Sequence, residues 1–152
     1  MKLLTYIVFV ICYMPIHLHA QTSKPVNKVL WAIKDNKSGK EILTTYVIIG
    51  AQQIDSLRVL KAGEIRLRYG AIKENIVLDV TLKPKVQILC LDAFYKQRGI
   101  KSKTRSLPTS ANGEDISDTP NVYVEPMSVK EVKVGRDSIR ITTINGAKHI
   151  NY

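Results

Sequence analysis

Histidine and cysteine are scarce in this chain, and the scarcity removes whole classes of chemistry. There are 3 histidines and 2 cysteines in 152 residues. His17 and His19 fall in the leading apolar segment, which leaves His149 close to the C-terminus. A zinc site needs several nitrogen or sulfur ligands, and a Ser-His-Asp triad would have to run through a residue in the terminal tail. Neither is expected, and no cofactor is implied. Cys12 also belongs to the leading segment, so Cys90 is left without a partner for an internal disulfide. Stability then has to come from core packing. Cys90 sits in "VQILCLD" among apolar neighbours, so a buried, inert thiol is expected there.

Long apolar runs are equally rare. One occupies residues 3–14, interrupted only by Thr5, preceded by Lys2 and closed by Pro15; "HLHA" then leads to Gln21. It is shorter than the ~20 residues of a membrane-spanning helix. A charged start, an apolar run and a small residue describe a secretory signal peptide, with cleavage expected between Ala20 and Gln21. Lipidation at Cys12 is not expected, because Ile11 stands where a small residue is required. No later segment is long and apolar enough to cross a membrane as a helix. The expected location is the periplasm or the outer membrane, and residues 21–152 suffice for one compact domain.

Acidic residues are in deficit. Asp and Glu total 13 against 23 Lys and Arg, a net charge of +10. The cations concentrate at Arg58, Lys61, Arg66, Arg68 and Lys73, then at Lys96, Arg98, Lys101, Lys103 and Arg105. In a cytoplasmic chain this would suggest nucleic acid. Behind a signal peptide, an anionic envelope surface or an acidic envelope protein is the better expectation.

What is present is mostly strand pattern. "KVLWAIK" reads as a strand and "DNKSGK" as the turn after it. "TTYVIIG" reads as a second strand, and "IDSLRVLK" as a third with one inward face. "NIVLDVTLK" alternates most clearly: Ile76, Leu78, Val80 and Leu82 share one face, Val77, Asp79, Thr81 and Lys83 the other, and Pro84 closes it. "VQILCL" continues the β-rich run, after which Asp92 is placed to cap a short helix ending at Gly99. Residues 102–121 read as a polar loop or linker. Strands "VYVE", "SVKEVKV" and "SIRITTI" follow, the last two joined by a tight turn at 135–137, before a frayed tail. The strand pairs "IDSLRVLK"/"NIVLDVTLK" and "SVKEVKV"/"SIRITTI" echo one another, as two copies of one unit would. The fold class is α+β: a small β-rich sheet with one or two short helices, divided into residues 1–20, 21–101, 102–121 and 122–152.

"VLKAGEIRLRYG" is open to two readings on its residues alone. Ile65, Leu67 and Tyr69 alternate as in a strand, while Ile65 and Tyr69 also stand four apart as on a helix face. Residues 54–83, "IDSLRVLKAGEIRLRYGAIKENIVLDVTLK", resemble the end of the plug domain of TonB-dependent outer-membrane receptors. Val59, Leu60 and Lys61 match that family's "VLK", Tyr69 and Gly70 its "YG", and Asn75, Val77, Thr81 and Lys83 the approach and final strand. The resemblance implies a plug-like β-α-β unit, with a helix over about 62–69 and a positive φ at Gly70. Glu64, Arg66, Leu67 and Arg68 depart from the family's small helix residues, and Ile76 from its glycine. The receptor's transmembrane barrel is not expected, since no series of long amphipathic strands is present.

The function expected is an exported, non-catalytic binding or docking module of the cell envelope. Arg66 and Arg68 are its candidate docking face, and the matched motif is its architecture. One alternative is a secreted basic protein that binds anionic polymers through residues 96–105, which added salt would weaken. Another is an envelope hydrolase using two of Glu41, Asp55, Glu64, Asp79 and Asp92, although their spacing brings no pair together.

Overall fold

A computed structural model describes residues 29–74 and 76–144. The expected signal segment with Ala20 and Gln21, the motif residue Asn75, and the C-terminal tail with His149 lie outside the described residues. The chain starts as β1 (Val29–Lys34), turns, and returns as antiparallel β2 (Glu41–Thr44). Asp35 builds the turn, its carboxylate accepting from the Ser38 N–H at 2.9 Å and the Ser38 hydroxyl at 2.6 Å.

The single strand expected over residues 44–50 is in fact split. β2 stops at Thr44, and β3 (Tyr46–Ile48) leaves for another sheet. Thr44 makes the break. Its hydroxyl accepts from the Tyr46 N–H at 3.0 Å and lies against the carbonyls of Tyr46 and Asn121, offering the backbone a local partner in place of the ladder.

β4 (Ile54–Val59), α1 (Ala62–Tyr69) and β5 (Ile76–Leu82) follow. β5 inserts beside β1 in parallel and pairs with β4 antiparallel, giving the order β2-β1-β5-β4. Its alternation is as expected. Leu78, Val80 and Leu82 are buried with Val29 and Ile33 on one face. Val77 is buried on the other with Leu30, Ala32, Leu60 and Ile65, beneath α1. β4, the outermost strand, departs from expectation: beyond Ile54 every residue of it is exposed.

The second half corrects the sequence reading in three places. "VQILCL" contributes only the two-residue strand β6 (Leu89–Cys90) before α2 (Leu91–Gln97). Asp92 lies in the first turn of α2 and does not cap it; the N-cap is Cys90, which is exposed rather than buried. Residues 102–121, expected as loop or linker, contain β7 (Thr109–Ala111) and β8 (Glu114–Ile116). Asn112 and Gly113 join them with φ of 50° and 89°, the left-handed pair that a two-residue hairpin turn requires. β9 (Val122–Val124), β10 (Val129–Val134) and β11 (Ile139–Thr143) complete the described chain as expected.

The two four-stranded sheets share one connectivity. The first runs β2-β1-β5-β4 and the second β8-β7-β11-β10. In each, an antiparallel hairpin comes first, and a later strand lies parallel to the hairpin's first strand and antiparallel to the edge strand. Both edge strands follow a short 3-10 turn, Ala51–Gln53 or Pro126–Ser128. Both are irregular at their start, between Ile54 and Ser56 and between Val129 and Glu131. The strands that precede those turns, β3 and β9, pair in parallel with each other in a third sheet ordered β3-β9-β6, with β9 at its centre. The sequence echo thus falls on equivalent strands. α1 occupies the place that a tight turn, closed by Gly135 N–H to the Ser138 carbonyl at 2.8 Å, takes in the second sheet.

α2 seals the other core. Phe94 and Tyr95 are buried with Ile48, Val122, Val124, Ile139 and Ile141, and the Tyr95 hydroxyl meets that of Thr109 at 2.9 Å. Among the described residues no helix is long and apolar enough to cross a membrane.

Candidate docking surface

The segment from β4 to β5 carries the residues singled out from sequence, and the fold sorts them into two kinds. Leu60, Ile65 and Val77 are buried under α1, with Tyr69 packed beside them. Lys61 is the N-cap of α1 and Gly70 its C-cap, the latter at φ 70° and ψ −143°. Thr81 is exposed on β5. Leu60, Tyr69, Gly70 and Val77 therefore shape the unit and present little to a partner.

Helix α1 is tied to its sheet by charge. Glu64, at the third helical position, accepts from the Lys61 N–H at 2.9 Å, satisfying a backbone donor that the helix leaves open. Arg58 on β4 reaches Glu64 at 2.7 Å and Asp79 on β5 at 3.2 Å. Arg68 reaches the same Asp79 oxygen at 3.2 Å and also pairs with Glu41 on β2. Register explains the convergence: Arg58 stands directly opposite Asp79, on the sheet face that α1 covers. Three carboxylates that seemed scattered in sequence are thus brought together by β2, α1 and β5. Asp55 and Asp92 stay apart from them, Asp92 pairing with Arg105 at 3.3 Å.

The two candidate docking arginines are separated by this network. Arg66 is exposed, with no ion pair in the described structure. Arg68, although partly exposed, is committed to Glu41 and Asp79 and lies over the Tyr69 ring at 5.4 Å. The Tyr69 hydroxyl is pushed up to about 12 by burial and then by the neighbouring Glu41 carboxylate.

Glu64 is held below the ordinary glutamate range by the Lys61 N–H first and by Arg58 second. A depressed carboxylate contributes stability that is present above its unfolded pKa and is lost as pH falls through its folded pKa. Amide protection of α1 is therefore expected to fall in acid below about pH 4.5, the ordinary glutamate value. Glu64→Gln should weaken the helix at neutral pH and abolish that acid step. An unchanged acid profile in the variant would assign the step to another carboxylate.

Apolar side chains complete the surface, and sequence reading did not foresee them. Leu67 in the middle of α1 is 91% exposed, and Leu57 and Val59 on the open edge strand are 45% and 58% exposed. The signal for Leu67 was available: with Ile65 and Tyr69 facing the sheet, a helix turns Leu67 away from it. In the second basic stretch, Arg98 donates to the Pro126 carbonyl at 3.0 Å and Arg105 to the Ile100 carbonyl at 2.8 Å, so both are anchored to the fold. Among the described residues no group of three or more His, Cys, Asp or Glu is placed to hold a metal ion. Comparison with protein-family models, with curated proteins and with solved structures returned no match.

Proposed function

We propose that this chain is an exported, non-catalytic docking module of the cell envelope, built like a free-standing receptor plug, with β4 and α1 as its contact face. One observation carries the reading. β4 is an open edge strand that exposes Leu57 and Val59, whereas edge strands without a partner are ordinarily blunted by charge or cover. Leu67 and Arg66 on the adjoining helix extend the face with an apolar anchor and a cation. The gathered carboxylates favour this reading over a hydrolase, because Glu41, Glu64 and Asp79 each face an arginine. The polymer-coating reading is weakened at Arg105, which is already paired with Asp92 and held by the Ile100 carbonyl.

The test is co-sedimentation of the full chain with outer-membrane fractions. The double variant Arg66→Glu, Leu67→Asp is expected to lose binding while keeping its melting temperature, since surface substitutions of this kind usually change stability by no more than about 0.5 kcal/mol. Arg68→Glu is expected to lower the melting temperature instead, because it places a third carboxylate beside Glu41 and Asp79. Sedimentation of the double variant at the wild-type level would discard the contact face.

A further inference from the structure

A second open edge has what the β4 edge lacks, a groove lined by charge of one sign. In the second sheet β10 is outermost, and among the described residues it pairs with β11 alone. Beside it a groove of about 450 Å³ opens toward the segment that follows α2. Val132 and Val134 form an apolar wall, Arg98, Lys101 and Thr104 line the groove with them, and no carboxylate is among its lining residues. Arg98 is set in position by the Pro126 carbonyl at 3.0 Å and by the Phe94 ring, 5.3 Å from its guanidinium carbon. A cation fixed in advance spends little entropy on meeting a ligand. At the equivalent edge strand, β4, the guanidinium of Arg58 is already neutralised by Glu64 and Asp79.

The sequence of β10, "VKEVKV", decides which strands it can accept. Two copies pairing antiparallel about the strand's centre would set Lys130 against Lys133, and two pairing parallel in register would set each lysine against itself. Like charges directly opposite are destabilising, so the lysines disfavour these two self-pairings. Lys133 is already paired with Glu131 of the same strand at 3.3 Å, so the preference for a strand that carries carboxylates rests on Lys130 and on Arg98 and Lys101 of the groove.

We infer that the β10 edge is a strand-addition site for an extended acidic peptide segment. The segment's backbone continues the sheet, and the carboxylates on the face it shares with Val132 and Val134 reach Arg98 and Lys101, their methylene stems lying along the two valines. The site is independent of the β4–α1 face.

The probe is a short, end-blocked peptide alternating glutamate with valine, with lysine in place of glutamate as the control. Titrated into the full chain, the acidic peptide is expected to bind saturably, to weaken with added salt, and to slow amide exchange at residues 129–134. Lys101→Glu should weaken binding about tenfold with an unchanged melting temperature, and Lys101→Gln, which only removes the charge, should weaken it less. Leu67→Asp should bind as wild type, so failure of this site and failure of the β4–α1 face are read separately. Equal binding of the lysine peptide, wild-type affinity in both Lys101 variants, or binding without protection at 129–134 would each overturn the inference. The last result would mark a diffuse attraction of anions to a basic surface.

Discussion

Phe94→Ala is expected to destabilise the protein by about 3–5 kcal/mol, read as a lowered urea midpoint with an unchanged slope. Phe94 is 0% exposed and lies in the cluster that joins α2 to β3, β9 and the second sheet. Truncation removes buried surface and leaves a cavity between elements fixed in two different sheets, so little collapse can relieve it. It also removes the ring beneath the Arg98 guanidinium. Against the 5–15 kcal/mol that holds a typical domain together, the loss is large. Leu78→Ala, in the first sheet's core, is expected to cost about 2–5 kcal/mol by the same mechanism. Leu67→Ala, at the exposed surface of α1, is the control and should cost almost nothing. Equal, small effects at Phe94 and Leu67 would mean that α2 does not seal the core.

Gly70→Val is expected to cost about 1–3 kcal/mol, for a reason unrelated to space. A Cβ at Gly70 would meet nothing within 4 Å. The cost lies in the backbone, whose φ of 70° and ψ of −143° fall outside the left-handed helical region and close to the region reserved almost wholly for glycine. That distinction sharpens the expectation. Asparagine relieves strain where ψ is near +47°, so Gly70→Asn should rescue little here. A Gly70→Val protein as stable as wild type would remove the turn from the account of how α1 reaches β5.

The sequence made β5 legible because it repeats one period long enough to read, alternating through seven residues. α1 was open to strand or helix on its residues alone, since Ile65 and Tyr69 fit both periods, and only the resemblance to a plug domain favoured the helix. Elsewhere the elements are too short to carry a period. β7 and β8 have three residues each, and their hairpin signal, Asn112-Gly113, was hidden among polar neighbours. The strand read over residues 44–50 joined the last residue of β2 to β3 because the Thr44 hydroxyl, not a glycine or proline, turns the chain between them, and residues 41–43 were not read as strand. Cys90 has apolar neighbours in sequence, yet it stands at the N-cap position of α2 and is exposed. The ion-pair network was invisible for a different reason. It depends on register: Arg58 opposite Asp79 and Glu41 on the outer strand β2 become neighbours only when β5 lies between β1 and β4. Asp79, placed by the alternation on the face opposite Leu78 and Val80, bridges two arginines there.

The parallel pairing of β3 with β9 sets the order in which the chain can finish folding. The Gly50 N–H donates to the Ser128 hydroxyl across 78 residues of sequence, and Val47 and Ile48 lie alongside Tyr123 and Val124. While the chain is being synthesised, the first sheet can close as soon as Leu82 is free, but β3 waits for residues 122–124. A nascent chain stopped before β9 therefore holds a formed sheet with an unpaired, apolar strand hanging from it. Such a strand is a template for other chains, and contacts this distant in sequence close slowly. A fragment cut between the two similar sheets is expected to be the aggregation-prone form of this protein, even though each half looks like a complete unit.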